Sequence, residues 1–239
     1  MEMAGLALAG GRATGAARIV ADPRARGPER LDGAVLITGG PWWPAAELAP
    51  PGVVGAIVEV PTDPPRPSPS VPVVGGLGAD LFREGEDVSL DGDRGRVALA
   101  DVDGTEVVTS FVERPDGAIL LLRRSEKVGS FRGRWAGVSG FLEEPTPRAQ
   151  AIKEIEEETG LLSAELHLVR EGEPVYARNE RTIYVVHPFR FRAEAPKVTI
   201  DWEHTEFEWV SPDEIARRPT VPHLDRAWAA VAPDAARKR

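Results

Sequence analysis

Glycine and proline are spread unevenly along this chain of 239 residues, and that unevenness sets what it can fold into. Residues 1–103 hold 16 of the 24 glycines and 12 of the 22 prolines; residues 104–239 hold the other 8 and 10. Both residue types interrupt regular structure. The first part must therefore be short pieces between turns, while the second has room for longer elements. The polar run Ala100-Asp-Val-Asp-Gly104 separates them. We read two domains, 1–103 and 104–239, a division that the length allows. Charge follows the same line: 15 acidic and 9 basic residues before it, 23 and 20 after it, and all four lysines after it.

Composition excludes several classes. A net charge of −9 and a pI near 5.1 leave no global basic footprint for nucleic acid. The absence of cysteine removes disulfides, thiolate metal sites and cysteine nucleophiles, and suits a cytoplasmic protein. No apolar run approaches the roughly 20 residues of a membrane helix, so no membrane partner is expected. Glu2 and the glycines within Met1–Gly15 argue against a secretory signal.

The first part reads as strands at Gly33–Thr38, Val53–Val60 and Val71–Val74, then a hairpin over Glu86–Leu99 turning at Asp91–Gly95. Pro44–Leu48 and Gly78–Phe82 suit short helices, and Pro61–Pro72, with six prolines, an extended loop. The second part predicts a hairpin of Thr105–Glu113 and Ala118–Arg124, a helix over Arg148–Thr159 stopped by Gly160, and strands at Glu165–Arg170, Val175–Arg178, Thr182–Arg192 and Glu206–Val210. A helix start at Ser211-Pro212 and a closing helix over Asp225–Val231 complete an α+β domain.

The chemistry concentrates on one predicted helix. Glu154, Glu157 and Glu158 fall at i, i+3 and i+4, and so share a face. Three carboxylates within one turn repel one another. A hard divalent cation would resolve the conflict, because Mg²⁺ takes oxygen ligands and bridges carboxylates to phosphates. A solvated acidic face is the competing reading. Just upstream, Arg123, Arg124, Lys127, Arg132 and Arg134 form a basic cluster of opposite sign, suited to phosphate or simply to a solvated strand edge. Trp135 and Tyr184 are candidates to stack on a base, with core packing as the alternative. For Asp201, Glu203 and His204 mutual bracing is the favoured reading over catalysis.

The stretch Lys153-Glu-Ile-Glu-Glu-Glu-Thr-Gly-Leu161 resembles the second part of the Nudix box, Arg-Glu-apolar-any-Glu-Glu-any-Gly-apolar. Six of the seven specified positions match, and Lys153 replaces the arginine. The first part of the box is degenerate. A one-residue deletion restores Gly140 as its glycine, but its glutamate has no clean counterpart; Glu143 and Glu144 are the nearest carboxylates. In the family that glutamate braces the arginine and supports the metal site. The segments Arg124–Gly140, Val186–Phe189, Asp201–His204 and Thr220–Leu224 resemble a Nudix subgroup whose loop before the helix is also irregular.

The resemblance implies an α/β/α sandwich with a mixed sheet and Mg²⁺- or Mn²⁺-dependent hydrolysis of a nucleoside diphosphate derivative, such as a nucleotide sugar. It implies that Glu154, Glu157 and Glu158 hold the metal, with Lys153 orienting them. From the basic cluster, Arg123, Arg124, Arg132 and Arg134 are the substrate-side candidates. A catalytically impaired nucleotide-binding or scaffolding protein on the same fold is the alternative. An isoprenoid diphosphate isomerase on that fold is disfavoured, because its chemistry relies on a cysteine. The ordered segments Gly10–Arg18, Asp32–Ile37, Gly55–Glu59, Ser70–Leu77 and Gly85–Val97 resemble the swivelling phosphohistidine domain of phosphoenolpyruvate-utilising enzymes. Residues 1–103 contain no histidine, so phosphohistidine chemistry is excluded there. The smaller, β-rich swivelling-type β/α domain is expected to be a structural or specificity module, covering the site or making a homodimer.

Overall fold

The computed structural model describes residues 1–20, 31–39, 52–59, 70–194 and 196–233. The expected helix Pro44–Leu48 and residues 61–69 of the expected proline-rich loop lie outside the described residues. The chain divides into two compact units, residues 1–104 with 178–183, and residues 105–177 with 184–239. Each is built on a mixed β-sheet with few helices.

The first unit contains β1 (Glu2–Ala4), β2 (Leu6–Ala9), β3 (Arg12–Val20), β4 (Ala34–Thr38), β5 (Val53–Val58), β6 (Val73–Gly75), β7 (Asp87–Asp91) and β8 (Arg96–Leu99). Their order is β1-β8-β7-β3-β4-β5-β6-β2. β3 to β6 run parallel, and the remaining pairs are antiparallel. Only Gly5 separates β1 from β2, although they stand at opposite ends of that order. One bent strand therefore lies along both edges and the sheet closes on itself, leaving neither edge open. Every residue of β4 is buried, the apolar run a parallel strand needs when both its faces are covered. Gly55 faces inward, where a Cβ would sit 2.7 Å from Leu90 Cδ2 and 3.3 Å from Ala13 Cβ. Arg178, joined to this unit with residues 178–183, has a buried guanidinium that forks onto Glu86 and also donates to Leu81 O. β1 to β3 were not legible in the sequence: Met1–Val20 is rich in alanine and glycine, weak strand formers without clean alternation.

The second sheet and its helices comprise β9 (Asp103–Glu113), β10 (Ile119–Arg124), β11 (Trp135–Ala136), β12 (Val138–Phe141), α1 (Pro147–Thr159), β13 (His167–Glu171), β14 (Val175–Asn179), β15 (Thr182–Arg192), β16 (His204–Val210) and α2 (Leu224–Val231). The sheet runs β11-β10-β9-β15-β13, with β12 on β9, β14 on β15 and β16 on β10. Period-two alternation distributes its apolar residues to two cores. Val108, Val112, Leu120 and Leu122 pack under Ala151 and Ile155 of α1. Phe111, Ile119 and Leu121 pack under Leu224, Ala227 and Val231 of α2. Each helix thus covers one face. The start expected at Ser211 yields a short 3₁₀ turn, Pro212–Arg217, rather than an α-helix.

Candidate active site

Thr146 caps α1: its hydroxyl accepts the Ala149 N–H at 3.2 Å, and Pro147 supplies a preset first φ. Gly160 ends the helix in the left-handed region with φ 69°, its N–H on Glu156 O. Anchored by Ala151 and Ile155, α1 presents its three glutamates to unequal surroundings. Glu157 is exposed, Glu154 half-buried, and Glu158 only 3% exposed.

Burial pushes the Glu158 carboxyl well above its usual range, and the charges of Glu154, Asp201 and Glu203 push the same way; the Ser139 N–H, 3.4 Å from Oε2, opposes them. Burial also raises Glu154, with Glu157 and Glu203 adding to it and Gln150 and Lys153 opposing. His204 is buried next to Glu158, its Nδ1 3.1 Å from Asp201 Oδ1 and its Nε2 3.8 Å from Glu158 Oε2. Burial holds His204 below its usual value against the pull of Asp201, which favours the neutral ring. The Asp201 carboxylate selects the Nδ1–H tautomer, which turns the Nε2 lone pair toward Glu158.

Lys153 lies 3.5 Å from both Glu143 and Glu144, and Glu157 adds to the field that raises it. The loop carboxylates nearest the degenerate part of the box thus reach the lysine that stands where the box has arginine. Gly140 of β12 lies flat against Glu154, so any Cβ there would overlap the Glu154 carboxylate. Gln150 is fully buried beside them and bonds to Glu154. Its residue type alone gave no reason to single it out.

The basic cluster does not assemble as a unit. In β10, Arg123 and Arg124 point to opposite faces. Arg123 pairs with Glu206 at 2.6 Å on the α2 side, whereas Arg124 neighbours His204 across the strand pair and lowers its basicity. Arg124, Arg132 and Arg134 each donate to a backbone carbonyl, those of Ser130, Val128 and Thr220. Trp135 is buried under the Arg218 guanidinium and unavailable for stacking. Trp202, by contrast, is 61% exposed between Asp201 and Glu203. His187 pairs with Glu106 at 3.0 Å.

The donors around α1 are all oxygens, with several negative charges sharing one neighbourhood, which suits a hard divalent cation. Among the described residues, no three acidic or histidine side chains converge closely enough to hold an ion as they stand. Glu154 keeps one carboxylate oxygen on the Gln150 amide and the other free of hydrogen bonds among the described residues.

The family model of the NUDIX domain matches residues 105–230, more than half of the chain. The chain belongs to the Nudix family. Solved structures similar to it include a MutT protein from Methanosarcina mazei Go1, 23% identical, covering 53% of this chain and 91% of that one with a TM-score of 0.46. The Nudix hydrolase RenU from M. smegmatis is 21% identical over 53% and 81%, with a TM-score of 0.43. An Ap4A hydrolase from C. elegans is 16% identical over 52% and 91%, with a TM-score of 0.45. No curated protein matches the chain in sequence. The matched region begins after the first eight strands, which carry no family assignment. No helix among the described residues is long and apolar enough to cross a membrane.

Proposed function

We propose that this Nudix chain hydrolyses the diphosphate of a nucleoside diphosphate derivative, such as a nucleotide sugar, in a cytoplasmic reaction that needs Mg²⁺ or Mn²⁺. The observation that carries this reading is the uncompensated charge at α1. Glu154 and Glu158 lie in the field of Glu157, Asp201 and Glu203, and burial disfavours their ionisation. A divalent cation held by Glu154, Glu157 and Glu158 would relieve that conflict. When bound, it supplies charge neutralisation for the diphosphate and a more acidic water.

The protein's own groups then have distinct tasks. Lys153, bridged to Glu143 and Glu144, holds the exposed side of the helix. Asp201 fixes His204, and His204 fixes the environment of Glu158. The Glu203 carboxylate, whose charge acts on both Glu154 and Glu158, is the candidate to take a proton from attacking water. Arg124 supplies positive charge on the same face, and Trp202 an exposed ring for a base. We also read the first unit as related to the swivelling domains, supported by its run of parallel strands β3 to β6. Without a histidine it serves structure or specificity.

The alternative, a nucleotide-binding module, draws on the failure of three donors to converge. Product release from a panel of nucleoside diphosphate derivatives, with Mg²⁺, Mn²⁺ or neither, separates the two. Metal-dependent cleavage of one class is expected, abolished by Glu157→Gln and by Glu158→Gln. Unchanged turnover in both variants rejects the hydrolase. Silence across the panel, with a nucleotide still raising Tm, establishes the binding module.

A further inference from the structure

We infer that Gln150 is a positioning residue for the reaction: it seats Glu154 and ties the loop before α1 to that seat. The inference rests on the hydrolase reading above. The Gln150 side chain is fully buried, and the other buried residues of α1 are Ala151, Ile155, Glu158 and Thr159. Its Oε1 accepts the N–H of Glu143 at 2.9 Å and of Glu144 at 2.8 Å. Its Nε2 donates to Glu154 Oε1 at 2.7 Å. The orientation of the amide follows from its partners: flipped, it would set N–H against two N–H donors and oxygen against a carboxylate.

Two consequences follow. Glu154 Oε1 is committed, and among the described residues Glu154 accepts no other hydrogen bond, so Oε2 is the oxygen offered to a ligand. The seat is closed on the other side by Gly140, whose missing Cβ makes room for the carboxylate. The same amide gathers the backbone of Glu143 and Glu144, whose side chains reach Lys153. The support expected from one box glutamate is thereby divided in this chain. Two loop carboxylates brace the lysine, and one buried amide holds both the loop and the first glutamate of the helix. Groups that hold a ligating carboxylate from behind matter to metal affinity nearly as much as the ligands themselves.

The test uses the full chain and Mn²⁺ alone, with its dissociation constant read by calorimetry, followed by kcat and KM on the cleaved compound. Gln150→Met, which fills the volume without hydrogen bonds, is expected to weaken Mn²⁺ binding by about 10- to 100-fold. It should lower kcat and leave KM nearly unchanged. Because Gln150 acts through Glu154, the double variant should bind Mn²⁺ no more weakly than Glu154→Gln alone. Wild-type Mn²⁺ affinity in Gln150→Met, or additive losses in the double variant, overturns the inference. Should Gln150→Met fail to fold, Gln150→Glu keeps an acceptor for the loop N–H groups but withdraws the donor from Glu154. It is expected to show the same loss, and wild-type affinity there overturns the inference equally. If the unaltered chain binds no Mn²⁺, or Glu154→Gln changes nothing, the hydrolase reading falls as well. An impaired Glu154→Gln beside an unimpaired Gln150→Met removes only the role of Gln150.

Discussion

Glu158 costs the folded protein stability. Its pKa is raised in the fold, first by burial and then by Glu154, Asp201 and Glu203. Below the usual value of 4.5, the carboxyl is protonated in both folded and unfolded chains, and no penalty arises. Above it the unfolded chain releases the proton while the fold retains it, so stability falls as pH rises, until Glu158 ionises in place. Glu158→Gln removes that dependence. In metal-free buffer the variant should match the wild type near pH 4 and exceed it at pH 8. Urea unfolding at the two pH values reads it, and equal stability at pH 8 contradicts the assignment. The alignment of Glu154, Glu157 and Glu158 was legible in their spacing, but their graded burial was not. That grading depends on β12 and the Asp201–His204 segment packing over one flank of the helix. Gln150 was illegible for the same reason: glutamine on a helix is usually solvated.

At the scale of elements, period and turn chemistry recovered most strands of the second unit but not their neighbours. β15 occupies the expected Thr182–Arg192, and α1 starts one residue before the expected Arg148. β11 and β12 escaped notice, because Trp135-Ala-Gly-Val-Ser-Gly-Phe141 is broken by two glycines and shows no alternation. The basic cluster shows what sequence proximity conceals. Arg123 and Arg124 are adjacent in the chain, yet β10 directs them to opposite faces. Arg123 and Glu206 form an exposed pair at 47% and 44% side-chain exposure, the kind worth at most about 1 kcal/mol. Arg123→Ala should therefore leave turnover within about twofold, with stability changed by less than about 1 kcal/mol. Arg124→Ala, on the face of His204 and α1, should raise KM for the diphosphate substrate by about tenfold or more, the loss of one charged hydrogen bond. Steady-state kinetics of the two variants side by side decides it, and equal effects would restore a single undivided basic patch.

For the whole molecule, glycine and proline thin out along the sequence after residue 103, but no local pattern signals the closure of the first sheet. Closure depends on pairings between residues far apart in sequence, Met3 with Val97 and Ala7 with Val74, which no local pattern encodes. The single residue between those pairings carries the geometric demand. The Gly5 N–H donates to Gly95 O at 2.7 Å, and a Cβ at Gly5 would stand 2.7 Å from Val74 Cγ1 and press on the Gly75 carbonyl. Backbone cannot yield there without separating β2 from β6 or β1 from β8. Gly5→Ala should therefore destabilise the first unit by about 1–3 kcal/mol, the cost of overpacking a closed core. Loss of register at one edge would also expose unpaired strand groups, which favours self-association. Amide hydrogen exchange should show faster exchange at Val74 and Val97 in the variant, with the α1 amides Ala151 and Ile155 unchanged. An unaltered exchange pattern at both strand edges would mean that Gly5 does not join them and that the first sheet is open.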